Sequence, residues 1–92
     1  SKTQALFDAD AIAFPLSLRR WRAGDRFVPY GMKGSRLVSD YLKDVHLSLY
    51  EKENVWVLID ACDRVLWIVG MRADGRFSVS DATTSILSVS VG

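Results

Sequence analysis

The chain has 92 residues, enough for one small domain and too few for two, because so short a chain buries only about 60–65% of its unfolded surface. With 49% hydrophobic and 25% charged residues it can form a core, and its longest apolar run, residues 65–71, is far shorter than the ~20 residues of a membrane-spanning helix. The net charge of +1 argues against a strongly basic nucleic-acid arm, and the single cysteine, Cys62, cannot form an internal disulfide, so we expect a soluble, cytoplasmic protein.

The start of the chain is predicted to form two strands. Gln4–Asp8 is the first, and the Asp-Ala-Asp at 8–10 suits the turn after it. The second covers Ala13–Arg20, where apolar side chains alternate with others and are expected to point inward: Phe14, Leu16 and Leu18. Pro15 cannot donate a ladder hydrogen bond, so this strand either lies at a sheet edge or begins there.

A loop and two short helices are predicted next. Gly24-Asp25 predicts a tight turn, and residues 29–34 are too rich in proline and glycine for regular structure. A helix is predicted to begin at about Ser35, which could cap it, with an apolar face formed by Leu37, Val38, Tyr41, Leu42 and Val45. The capping-box spacing of Ser48-Leu49-Tyr50-Glu51 predicts a second helix, with Asn54 at its C-terminal end.

The second half of the chain is predicted to be mostly strand. Val55–Asp60 and Val65–Val69 are runs of β-branched and aromatic residues, which predict a central hairpin covered on both faces. Two further strands are predicted at Arg76–Ser80 and Ile86–Val91. The expected fold class is α+β, mainly β: a small sandwich or barrel-like sheet of about six strands, with two short helices inserted after the second strand. Residues 1–92 would form a single domain.

The residues available for catalysis are few. His46 and Cys62 are the only histidine and cysteine, so a metal site of the Cys/His type cannot be built from this sequence. A nucleophilic pair would require these two side chains to meet across the fold. The carboxylates fall in predicted turns or on polar helix faces, where solvated and capping roles are usual. We therefore expect no catalytic residue, metal or cofactor within these residues.

Positive charge is concentrated in one stretch. Between positions 19 and 36 the local charge is +5, which leaves −4 for the remainder, and the cations are Arg19, Arg20, Arg22, Arg26, Lys33 and Arg36. Arginine suits phosphate because its planar donors can bond two oxygens at once. The alternative is that these arginines pair with the protein's own carboxylates as a solvated rim, the candidates being Asp25, Asp40 and Asp44.

Two further features of this stretch bear on nucleic-acid binding. Residues 31–35, a glycine-rich loop with Lys33, could hold an anion on backbone N–H groups, but the spacing of a nucleotide P-loop is absent, so we expect an RNA phosphate rather than ATP. Trp21 and Tyr30 could stack on exposed bases. In so small a domain, however, four aromatic residues are more often part of the core: Trp21, Phe27, Trp56 and Trp67.

The same stretch carries a long motif. Leu18–Gly34 contains the pattern R-x-W-x-x-G-D-x-F-x-P-x-G-M-K-G and is followed by Ser-Asp-Tyr-Leu at 39–42. With the matching residues 67–72, Arg76-Phe77 and Thr83-Thr84, the chain resembles, over nearly its whole length, the C-terminal domain of bacterial tRNA(Ile)-lysidine synthetases.

This resemblance implies a parent enzyme that uses ATP to adenylate the wobble cytidine of an isoleucine tRNA and then joins lysine to it. In the family these steps belong to an N-terminal ATP-pyrophosphatase domain with an S-G-G-x-D-S loop, which these residues lack, so ATP, with Mg, and lysine are implied as ligands of that domain only. The chain begins at Ser1 without Met, and we expect it to be a piece of that longer enzyme, its distal domain that engages the tRNA acceptor stem. A related module occurs in the phenylalanyl-tRNA synthetase β subunit.

The resemblance and the basic stretch together give the expected site. The tRNA-binding residues would be Arg19, Arg20, Arg22, Arg26, Lys33, Gly34, Arg36, His46, Arg72 and Arg76, and the residues that shape or orient the turn would be Gly24, Asp25 and Asp40. The sequence departs from the family pattern at Leu37, His46, Ser48 and Lys52. The implied partners are tRNA(Ile) and the enzyme's own catalytic domain, with a homodimer of the parent as a further candidate. The rival hypothesis is a structural or protein-interaction domain whose arginines pair with acidic groups of its parent or a second subunit.

Overall fold

Three antiparallel sheets and two short helices make up the computed structural model, which describes residues 3–91. The strands are β1 (Gln4–Asp8), β2 (Ser17–Arg20), β3 (Arg26–Phe27), β4 (Arg36–Leu37), β5 (Trp56–Ile59), β6 (Val65–Ile68) and β7 (Ile86–Ser90); the helices are α1 (Val38–Asp44) and α2 (Leu49–Glu53). β1 pairs with β7, β3 pairs with β4, and the third sheet has the order β2-β5-β6. The predicted mainly β, α+β class with two short helices is confirmed.

The predicted central hairpin, β5 and β6, separates two apolar clusters. Successive side chains of a strand point to opposite faces of the sheet, so Val57 packs into one cluster and Leu58 into the other. The first cluster also contains Phe27 from β3 and Leu42 from α1, whereas the second is built with residues of the β1–β7 ribbon. The hairpin is therefore covered on both faces, as predicted.

The second predicted strand is shorter than expected. β2 begins at Ser17 rather than Ala13, because Pro15 has no N–H to donate to a ladder. Phe14 and Leu18 are exposed, so the prediction that both point inward is wrong. β2 is the edge of its sheet, and its partly buried position, opposite Val57, is Arg19.

The first helix begins at Val38, three residues after the predicted start. The intervening residues form β4, in which Arg36 pairs with Phe27 and Leu37 with Arg26. Ser35 consequently does not cap the helix: its Oγ accepts a hydrogen bond from Arg26 Nε at 2.8 Å. The two helices thus follow four strands rather than two, because β3 lies in the segment expected to be a loop and β4 in residues expected to begin the helix.

The second helix and the last strand are as predicted, but the strand expected at Arg76–Ser80 is wrong. At α2 the full capping box is present, with Ser48 Oγ accepting from the Glu51 amide and the Glu51 carboxylate accepting from the Ser48 amide. At Gly75–Phe77 the backbone instead makes a 3₁₀ turn, because the Asp74 side chain accepts a hydrogen bond from the Arg76 amide. Within residues 3–91, no helix combines the length and the apolar character that crossing a membrane would require.

Candidate nucleic-acid interface

Arg19 and Asp25 hold the turn at the start of the basic stretch. Arg19 donates two parallel hydrogen bonds to the Asp25 carboxylate, each 2.9 Å long, and Asp25 also accepts from the Arg22 amide at 2.9 Å. Gly24 has φ +94°, a conformation that glycine adopts without strain. Burial alone would raise the pKa of the Asp25 carboxyl, but the hydrogen bonds from Arg19 and from the Arg22 amide outweigh it, so that pKa lies below its ordinary value.

Three of the predicted tRNA-binding arginines form ion pairs with carboxylates of the domain itself. Arg19 is bound to Asp25 and lies 3.5 Å from Asp63, so its charge is largely compensated within the domain. Two further pairs join Arg36 to Asp44 and Arg76 to the buried Asp74. The predicted solvated rim is therefore present in part, although Asp40 offers Arg36 only its backbone oxygen, at 3.4 Å.

Arg22 is the exception among the paired arginines. Its side chain is 64% exposed and lies 3.9 Å from Asp63, whose side chain is 63% exposed. An ion pair this open to water contributes at most about 1 kcal/mol and is screened by salt. Arg22 can therefore exchange Asp63 for an external phosphate at little cost.

Four other predicted cations make no ion pair within residues 3–91. The Arg20 guanidinium lies over the Trp56 ring, 5.5 Å from its centroid. Arg26 donates to Ser35, and Arg72 Nη1 donates to the Tyr30 carbonyl at 3.2 Å. Lys33 is exposed in the loop between β3 and β4. These four residues keep a full positive charge available to an anion.

The β3–β4 hairpin and its loop bring several predicted residues together. Arg26 lies on β3, and Lys33 and Gly34 are exposed in the loop. Arg72, far along the sequence, joins them through its hydrogen bond to Tyr30. We call Arg26, Lys33, Gly34 and Arg72 the glycine-loop surface.

The base of this loop is fixed by the buried carboxylate of Asp74. Asp74 Oδ2 accepts from the Val28 amide at 2.9 Å, and the Gly75 amide donates to the Val28 carbonyl at 2.8 Å. Asp74 is 0% exposed and also binds the Arg76 guanidinium, which lies against the Phe77 ring. Arg76 therefore helps to hold Asp74, and with it the base of the loop, in place.

His46 lies at the C-terminal end of α1, exposed and with φ +57°. It directly follows Val45, which lines a cavity of about 250 Å³ together with Tyr41, Met71 and Arg72. The end of α1 is thus close to the Arg72 side of the glycine-loop surface. The structure shows no ion pair or side-chain hydrogen bond of His46 to the other predicted residues.

The aromatic residues that are buried in the structure are not all those predicted to form the core. Phe27 and Trp67 are buried as expected, and Trp21 is partly buried, with its indole N–H donating to the Lys52 carbonyl at 2.6 Å. Trp56 is 43% exposed, so the prediction that it belongs to the core is wrong. Trp56 is the first residue of β5 and pairs with Arg20, the last residue of β2, so it lies where this pair of strands ends. Tyr30 is 62% exposed.

Two buried carboxylates were not recognised in the sequence. Asp60, expected to be a solvated turn residue, is 2% exposed and accepts from the amides of Ala13, Cys62 and Arg64 and from the Arg64 guanidinium. Burial would raise the pKa of Asp60, but these donors outweigh it and lower that pKa. Asp74 is the second. In each case the sequence places an arginine nearby that could bind the carboxylate. Arg64 follows Asp60 by four residues, and a Gly-Arg pair follows Asp74 directly.

The two side chains considered as a nucleophilic pair both lie at the surface. Cys62 is free and exposed, and His46 is exposed. Among residues 3–91, no three side chains of histidine, cysteine, aspartate or glutamate come together as a metal site would require. The notable feature of the molecule is thus its set of uncompensated cations.

Comparison with known proteins identifies relatives along almost the whole chain. A family model described as the TilS substrate C-terminal domain matches residues 16–89. The tRNA(Ile)-lysidine synthase of Parabacteroides distasonis is 44% identical over 89 residues, which is 97% of this chain and 20% of that protein. The tRNA(Ile)-lysidine synthase of Bacteroides thetaiotaomicron is 41% identical over 86 residues, 94% of this chain and 20% of that protein. The chain thus spans about a fifth of the length of these relatives.

Two solved structures share the fold. A crystal structure of a TilS C-terminal domain superimposes with a TM-score of 0.80 at 20% identity, covering 99% of this chain and 72% of that one. An N-terminal fragment of the phenylalanyl-tRNA synthetase β subunit from Pyrococcus horikoshii gives a TM-score of 0.75 at 21% identity, covering 92% of this chain and 26% of that one. At these identities the likeness is one of fold.

Proposed function

The chain belongs to the TilS substrate C-terminal domain family, and from this premise we propose that it binds tRNA for a tRNA(Ile)-lysidine synthase whose chemistry lies in another part of the protein. The whole protein would join lysine to the wobble cytidine of tRNA(Ile) in the cytoplasm, with ATP, Mg and lysine bound outside these 92 residues. The domain itself would be non-catalytic and would hold the tRNA at the acceptor stem.

The observation that carries this proposal is the set of cations without a carboxylate partner in the described structure. Arg26, Lys33 and Arg72 lie on one hairpin or are hydrogen-bonded to it, and none makes an ion pair. Arg22 adds a fifth cation to Arg20 and these three, because its contact with Asp63 is long and exposed. Phosphates of an RNA backbone supply the missing negative charge, whereas the arginines already bound to aspartate would contribute little.

Charge reversal tests the proposal. We expect Arg22→Glu with Lys33→Glu to weaken binding of tRNA(Ile) by the full-length protein roughly 100-fold, since two charge-assisted contacts are lost. Both side chains are exposed, so folding should be preserved. The matched control is Lys43→Glu with Lys52→Glu, which changes the net charge equally at lysines outside the predicted site. Equal weakening by both double variants would refute a localised interface.

A second candidate function is docking to the catalytic domain or to a second copy of the protein. It is favoured by a cavity of about 410 Å³ whose lining includes Leu47, Tyr50, Trp56 and Met71, because exposed apolar and aromatic side chains are typical of protein interfaces. If docking through this cavity is the main role, the Arg22 and Lys33 double variant should keep its tRNA affinity, whereas Trp56→Glu should disrupt docking to the catalytic domain or to the second copy. Parallel titrations with tRNA(Ile) and tRNA(Phe) would distinguish a lysidine-synthase domain from a phenylalanyl-tRNA-synthetase-like module.

A further inference from the structure

The exposed ring of Tyr30 is not explained by the stability of the fold. It is 62% exposed, whereas the neighbouring Phe27 is buried in the first apolar cluster and Trp21 packs against that cluster. Of the two aromatic residues considered for base stacking, Trp21 is therefore held by the fold through its bond to Lys52, and Tyr30 is available.

The backbone beneath this ring is fixed from both sides. The Tyr30 amide donates to the Ala73 carbonyl at 2.9 Å, and the Tyr30 carbonyl accepts from Arg72 at 3.2 Å. Gly75 lies so close that a Cβ atom at that position would be 3.1 Å from the Tyr30 Cα. The preceding Pro29 is fully buried. An exposed ring on a backbone ordered in advance loses little further entropy when a ligand stacks on it.

The surroundings of Tyr30 favour a nucleic acid over a protein. Arg72 is bound to its carbonyl and Lys33 follows three residues later, and neither cation makes an ion pair within residues 3–91. The loop residues beside it include Gly31 and Gly34, which offer no side chain to a protein partner, and Met32, which is 50% exposed. A larger group of apolar and aromatic side chains, which would suit a protein partner better, lies elsewhere, around Tyr50 and Trp56.

We propose that Tyr30 stacks on an unpaired base of the bound RNA while Arg72 and Lys33 contact phosphates beside that nucleotide. The proposal rests on the tRNA-binding function proposed above. An unpaired base is required because the faces of bases inside a duplex are already covered by their neighbours. Stacking on an aromatic ring is tolerant of sequence, so Tyr30 would add affinity for single-stranded RNA without selecting a particular base.

The test compares two RNAs, a blunt-ended duplex and the same duplex with a short single-stranded 3′ extension, each titrated with the full-length protein. Stacking on an aromatic side chain is worth about 1–3 kcal/mol per base, so Tyr30→Ala should weaken binding of the extended RNA roughly 5- to 100-fold. Binding of the blunt-ended duplex should weaken less than about twofold. Tyr30→Phe should retain the affinity because the ring remains. The matched control is Phe14→Ala, which removes an aromatic ring that is 55% exposed in the segment before β2 and should change neither affinity.

A fluorescent adenine analogue in the extension gives a second readout, since its emission should be quenched by the wild type and by Tyr30→Phe but not by Tyr30→Ala. Wild-type affinity of Tyr30→Ala for the extended RNA would overturn the stacking proposal and leave the tRNA-binding function in place. Equal losses on both RNAs, or an equal loss in Phe14→Ala, would also overturn it. If the wild type bound neither RNA nor tRNA, both proposals would fall.

Discussion

At the scale of single residues, the carboxylates determine which arginines are free. Asp25, Asp44 and Asp74 each bind an arginine of the predicted tRNA-binding set, whereas no carboxylate pairs with Arg26 or Arg72 in the described structure. Arg19 and Arg76 would leave a carboxylate that is at most 10% exposed without its partner if they moved to a phosphate. The same chemical group therefore has a structural role at Arg19 and is available for binding at Arg72.

Asp60 should be the carboxylate on which the stability of the domain depends most directly. It joins the end of β5 to residue 13 and to the turn before β6, and Asp60 itself is only 2% exposed. We expect Asp60→Ala to lower the free energy of unfolding by about 3 kcal/mol, because three amides and a guanidinium lose their partner. Urea unfolding measures this change. Asp81→Ala, at an exposed position, is the control and should cost less than about 0.5 kcal/mol.

Acid should destabilise the domain by protonating aspartates that accept hydrogen bonds in the folded state. The pKa values of Asp25 and Asp60 are lowered in the folded state, relative to about 3.9 in an unfolded chain. Their contribution is therefore fully present above about pH 4 and is lost as pH falls through the folded-state values. Urea midpoints measured from pH 6 to pH 3 should decrease below pH 4. Asp60→Asn should show a smaller decrease, and an unchanged pH profile would contradict the assignment of Asp60.

At the scale of elements, the sequence predicts correctly the strands and the helix whose characteristic residues are close together along the chain. The β-branched runs of β5 and β6 and the capping box of α2 each lie within a few residues, and all three elements are present. β3 and β4 could not be predicted in this way, because a ladder of two residues shows no alternation. The 3₁₀ turn at Gly75–Phe77 depends on Asp74, whose other partner, Val28, is 46 residues away in sequence.

The conformation of the loop between β3 and β4 should depend on the buried carboxylate of Asp74. Asp74→Ala removes the acceptor for the Val28 and Arg76 amides, so we expect the loop to open more often without global unfolding. Hydrogen exchange at the amides of Val28 and Tyr30 should accelerate at least about tenfold, since a lost buried hydrogen bond costs about 1–3 kcal/mol. The amide of Val57 in the central sheet serves as the internal reference. Equal acceleration at Val57 would indicate general destabilisation instead.

At the scale of the whole molecule, charge segregation in the sequence is only a first approximation to the binding surface. The sequence separates +5 in residues 19–36 from −4 elsewhere, but folding returns acidic side chains to that stretch. Asp63 approaches Arg19 and Arg22 from a turn some forty residues away, and Asp44 reaches Arg36 from α1. Folding also adds Arg72, which lies outside the basic stretch. These pairings depend on tertiary packing, so the sequence shows where basic residues are concentrated but not which of them remain without a carboxylate partner.

The salt dependence of tRNA affinity should reflect the number of free cations and not the total number of cations. With about five of them, the logarithm of the association constant should fall with the logarithm of salt concentration at a slope of roughly −3 to −5. Lys33→Ala should flatten that slope by about 1, because Lys33 has no ion pair within the domain. Arg36→Ala removes the same formal charge but an arginine already bound to Asp44, so its slope should stay within the error of the wild type. An equal flattening in both variants would show that Asp44 releases Arg36 when RNA binds, and that the ion pairs of the free domain do not restrict the surface used for tRNA.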